Sequence, residues 1–140
     1  MLPSGARVRV VNSSRGEVLA EQADLAADPW RRMRGLLGRP ALEPGRGLLI
    51  VPCRAVHMLG MTYPIDVVHL DRQGVVLKVL RGLRPWRIGP LVRRSHMVLE
   101  LPAGAAGATG AGDQLRLESP RAGPPAPCEG SHDRPGPGPR

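Results

Sequence analysis

The sequence predicts a mainly β domain (β-rich α+β), a compact antiparallel sandwich or partly closed barrel carrying one short helix. Three observations predict it. Short apolar runs recur through residues 7–117, most of them bounded by Gly, Pro, Asn or Asp. Two turn sequences of hairpin length, Asn12–Gly16 and Asp71–Gly74, each join two such runs. Only Asp28–Gly38 repeats its apolar residues at helical spacing.

Arg7–Val11 alternates polar and apolar residues, which suits a strand with Val8 and Val10 inward. Glu17–Ala20 returns after the first turn as its partner. Asp28 is a good N-cap, Pro29 suits the first helical position, and Trp30, Met33 and Leu37 form a stripe at i, i+3 and i+7. Gly38 stops this helix and Pro40 forbids its continuation. Arg31, Arg32 and Arg34 lie off the stripe; Gly35 inside the helix costs ~1 kcal/mol against Ala, a cost that points to close backbone packing or an earlier helix end. Leu42–Gly47 reads as a loop, and Leu48–Val51 as a buried strand closed by Pro52. In the strand Ile65–Leu70, Ile65, Val67 and His69 share one face, and Asp66, Val68 and Leu70 the other. Val75–Leu80 comes back as its hairpin partner. Gly82–Arg94 is irregular, broken by Pro85 and Pro90, and Met97–Leu101 is a further strand. Pro102–Gly112 fits either an Ala-rich helical turn or a Gly-rich loop, and Asp113–Leu117 is the last strand. From Ser119 onward seven of 22 residues are Pro and none is Leu, Ile, Val or aromatic, too little apolar surface to offset the entropy of ordering. The expected organisation is a domain over residues 1–117 and a disordered tail over 118–140.

The net charge of +8 comes from 19 Arg and a single Lys, Lys78, against 12 acidic residues. That skew matches coding in a GC-rich genome. From Arg31 to Arg94 there are 13 basic and three acidic residues. This Arg-rich middle segment allows weak binding of anions or nucleic acid, but a solvated surface explains it as well. No nucleic-acid module is present, and Trp30, Tyr63 and Trp86 are few aromatics on which to stack bases. No window approaches the ~18 apolar residues of a membrane helix, and no apolar signal core follows Met1. Cys128 lies in the tail, so a structural disulfide with Cys53 is not expected. These features read as a cytoplasmic monomer with reduced thiols.

Several motifs in order carry a resemblance: RMRGLLGR at Arg32–Arg39, GRGLL at Gly45–Leu49, HMLGMTYPIDVVHLD at His57–Asp71, LELPAG at Leu99–Gly104, and Gly112-Asp113. Over about residues 7–117 the chain resembles the DUF192 family of small prokaryotic proteins of unknown function. The resemblance implies a compact β-rich sandwich with one helix and supplies no activity. Leu59 and His69 stand where relatives often carry aromatics.

Chemically capable side chains concentrate in Cys53–Gly74. Cys53, His57, Met58 and Met61 offer soft ligands suited to Cu(I), although Met also fills irregular core gaps without any metal. Asp66 suits a hydrolase-like carboxylate paired with His57 or His96. The alternative is that Asp66 accepts backbone N–H groups or pairs with Arg34, fixing helix against sheet. Glu100 alternates outward from Leu99 and Leu101 and is expected exposed or paired with Arg. There is no phosphate loop, nucleophile elbow or Cys-x-x-Cys pair. The residues therefore point to a non-enzymatic binding or accessory domain for a protein or small ligand. Its expected groove lies near His57–Asp66, with binding candidates His57, Met61, Tyr63, Asp66 and Arg34, and no cofactor is called for.

Overall fold

The computed structural model describes residues 5–27, 42–56, 58 and 61–120. They form β1 (Arg7–Asn12), β2 (Glu17–Ala26), β3 (Arg46–Ile50), β4 (Ile65–Leu70), β5 (Val76–Leu83), β6 (Met97–Pro102) and β7 (Leu115–Glu118). All seven join one sheet in the order β5-β4-β6-β3-β2-β1-β7. No helix occurs among the described residues. The helix expected over Asp28–Gly38 lies outside them, as does the tail beyond Pro120.

The sheet curls until its two outer strands approach each other. Val75 bridges Gln114 just ahead of β5 and β7. The Val76 N–H donates to the Asp113 carbonyl at 2.8 Å, and the Leu115 N–H to the Gly74 carbonyl at 2.9 Å. Of the two arrangements the sequence allows, the partly closed barrel is the one formed.

Two details depart from expectation. The pairing is not wholly antiparallel: β2 and β3 run parallel, from Gln22↔Arg46 to Ala26↔Ile50. A parallel pair needs a crossover of a dozen or more residues, and residues 27–45 supply that length. The strand β2 also runs six residues past the expected Ala20. Its Glu, Gln, Asp and Ala residues have low strand propensity, but β1 and β3 pair it on both sides and bury Ala20, Ala23 and Ala26. Pro102–Gly112 resolves as turns rather than a helix.

Alternation places two apolar layers on the two faces. The inner one draws on every strand, including Val8, Val10, Leu25, Leu49, Val68, Val76, Leu99, Leu101 and Leu115. The outer one joins Ala26, Leu48, Ile50, Ile65, Val67 and Val98 to Val56, Met58 and Met61 from the chain between β3 and β4. Each fully buried Leu, Ile or Val stabilises by about 1.5–3 kcal/mol, so both layers matter to stability. Because this second face is covered too, Glu100 is buried and not exposed.

Candidate functional site

Asp66 is in phase with Val68 and Leu70, so its carboxylate enters the inner side, where it is 1% exposed. Its Oδ1 accepts the Gly82 N–H at 2.8 Å, and its Oδ2 accepts the N–H groups of Gly104 and Ala106, each at 3.0 Å. Three elements are pinned by one side chain. Gly82 has φ +63° and lies where β5 carries an extra residue opposite β4, a bulge that lets β5 run on to Leu83. These bonds fill the carboxylate with backbone donors, the structural role weighed for it above. His96 stands five positions from Leu101, the residue opposite Asp66, or about 16 Å of strand at ~3.3 Å per residue. The two therefore form no acid–base pair.

Met61 and Tyr63 belong to the outer layer, on the opposite side of β4 from Asp66. The expected groove is thus not assembled from these three. His57 and Arg34 lie outside the described residues. Met58 and Met61 are buried among apolar neighbours, and the Cys53 thiol donates to the Ala55 carbonyl at 3.1 Å. Among the described residues no group of three His, Cys, Asp or Glu converges as a metal site.

His69 occupies the outer face of β4 with no solvent exposure. The Ser95 hydroxyl donates to the Cys53 carbonyl at 2.8 Å, so its oxygen accepts from His69 Nδ1 at 2.9 Å. That assignment puts the ring proton on Nδ1 and leaves Nε2 buried without a hydrogen bond. Burial, and then Lys78 across the β4–β5 pair, hold the imidazole below its ordinary value.

Over this face the described residues of the β3–β4 connection, 51–56, 58 and 61–64, run against residues 84–96 of the β5–β6 connection. They are laced by backbone bonds: Cys53 N–H to His96 O (2.9 Å), Val92 N–H to Arg54 O (2.9 Å), Gly89 N–H to Val56 O (2.9 Å), Met58 N–H to Arg87 O (2.6 Å) and Trp86 N–H to Met58 O (2.7 Å). The lacing fixes the backbone of a loop whose side chains face water. Trp86, Ile88 and Leu91 are 67%, 71% and 66% exposed. Trp86 has φ +65°, and no other non-glycine described residue has a positive φ. Arg84, Arg87, Arg93 and Arg94 flank these three and are exposed as well. None is in a salt bridge among the described residues, and no acidic residue occurs from position 72 to 99. The irregular reading of Gly82–Arg94 overlooked this surface. The available signal was a Trp held between two prolines in a stretch without carboxylates.

The DUF192 family profile, described as "Uncharacterized ACR", matches residues 10–117. The chain belongs to the DUF192 family. No curated protein matches this DUF192 chain in sequence. A crystal structure from Sinorhizobium meliloti 1021, provisionally described as a transcription regulator, superposes with TM-score 0.69 at 26% identity and covers 84% of this chain and 98% of its own. A protein of unknown function from Novosphingobium aromaticivorans DSM 12444 has TM-score 0.66 at 22% identity, covering 79% and 83%, and shares the fold. No helix among the described residues is long and apolar enough to cross a membrane.

Proposed function

We propose that this DUF192 chain is a non-enzymatic binding domain that docks a partner through the loop 84–94, which backbone bonds lace to Arg54, Val56 and Met58. The carrying observation is the exposure of Trp86, Ile88 and Leu91 on a backbone held by bonds to residues 54, 56 and 58. Apolar side chains held in water on a fixed frame bind at little entropic cost. The hydrolase alternative needs Asp66, whose oxygens are occupied by Gly82, Gly104 and Ala106. The bacterial origin of both structural relatives supports a prokaryotic protein, which we take to be cytoplasmic and a monomer.

The test is affinity capture from a native bacterial extract that includes its membranes, comparing the chain with Ile88→Ser/Leu91→Ser. The chain retains a partner that the folded double variant loses. Retention of the same material by both, or of nothing above an unrelated protein, rejects the reading. A second reading, nucleic-acid binding through the Arg-rich segment, draws support from the regulator description of the Sinorhizobium protein. A mobility shift abolished at modest salt marks such binding as non-specific.

A further inference from the structure

We propose that the Trp86–Leu91 loop docks the domain onto the surface of an anionic phospholipid bilayer. This rests on the binding role just given to the same loop and names its partner.

Three properties fit a bilayer better than a protein. First, the apolar part is small: three side chains within six residues, each about two-thirds or more exposed. A stable protein interface takes roughly 20–30 residues a side, whereas a bilayer needs only a few inserted side chains helped by charge. Second, the ring around them carries one sign. Arg84, Arg87, Arg93 and Arg94 bear no salt bridge among the described residues, and the segment 72–99 has seven basic and no acidic residues. Such a field complements anionic headgroups, while the long Arg stems suit the headgroup layer. Third, Trp86 occupies a left-handed position, φ +65°, that glycine adopts without strain. An exposed indole there is not explained by folding. An indole, apolar with one N–H donor, is suited to the boundary between headgroups and acyl chains.

The test is co-sedimentation of the full chain with phosphatidylcholine vesicles, with and without about a third phosphatidylglycerol. The chain is expected on the anionic vesicles, not the neutral ones, and is released by molar salt. Each Arg→Gln change at 84, 87, 93 or 94 weakens binding about fivefold. Trp86→Gly, which suits the backbone, weakens it about tenfold or more with an unchanged melting curve, and removes a vesicle-induced blue shift of the tryptophan emission. Equal binding to both vesicle types, binding to neither, or binding indifferent to these changes overturns the proposal. If vesicles fail while affinity capture yields a soluble protein lost by Ile88→Ser/Leu91→Ser, the bilayer is wrong and the docking face stands. If both fail, both readings fall.

Discussion

Asp66 and Gly82 are joined at 2.8 Å, carboxylate to backbone N–H, at the residue where β5 bulges past β4. The same carboxylate holds Gly104 and Ala106, so one buried side chain ties two strands to the turn after β6. Asp66→Ala removes the acceptor of three backbone donors, the buried Ala106 N–H and the part-buried N–H groups of Gly82 and Gly104, and is expected to cost about 2–4 kcal/mol. Urea unfolding measures it. A variant as stable as the parent would show that the carboxylate does not hold this corner.

His69 makes the domain sensitive to mild acid. Its folded value lies below the ordinary 6.5 through burial and Lys78. Above pH 6.5 both states leave the ring neutral and stability is complete. As pH falls below 6.5 the unfolded chain takes a proton that the fold resists, so stability declines until pH passes the folded value. His69→Phe removes the buried Nε2 and is expected to flatten that part of the Tm–pH curve. Melting curves between neutral pH and about pH 5 decide it; an unchanged slope assigns the loss to another group.

Asp113 acts in a lower range. The Asn12 amide at 3.0 Å, the Arg15 guanidinium at 2.6 Å and the Gly110 N–H at 3.0 Å hold its carboxyl down from 3.8 to about 2. Its contribution is present above pH 3.8 and is lost as pH falls from there through about 2. Asp113→Asn should lower Tm at neutral pH and remove this step from acid unfolding followed by circular dichroism. Acid curves that superimpose would refute the assignment.

Gly74 guards the seam. At φ +84°, a Cβ there would stand 2.7 Å from the Leu115 carbonyl oxygen, a backbone atom that cannot swing away. Gly74→Ala is expected to destabilise by about 2 kcal/mol or more and to speed amide exchange of Val76 and Leu115 before that of β3. Uniform exchange across the sheet would contradict a local opening.

Much of this was legible in the residues. The alternation of Ile65–Leu70 assigned both faces of β4 correctly, because a strand's period of two leaves no freedom once one face is buried. Asp66 was legible as a carboxylate needing partners; that Gly104 and Ala106 supply them depends on a turn 38–40 residues away. The parallel β2–β3 pair was not legible, since local pattern carries no strand direction. Nor was the burial of Glu100, whose face is covered by chain distant in sequence. The exposure of Trp86 escaped because a large apolar side chain is ordinarily assigned to the interior.

The pairing of β1 with β7 has a consequence for synthesis on the ribosome. Arg9 bonds Glu118 across 109 residues at 2.9 Å, so the outer edge of β1 has no partner until nearly the whole domain has been made. At ~5–20 residues per second, that edge stays open for roughly 5–20 s. Arg7 and Arg9 lie on this strand, and charged side chains on an unpaired edge oppose its joining to another nascent chain. Their guanidiniums pair with Asp24 and Glu21 of β2 within the hairpin, and Arg9 takes Glu118 as a further partner once β7 arrives.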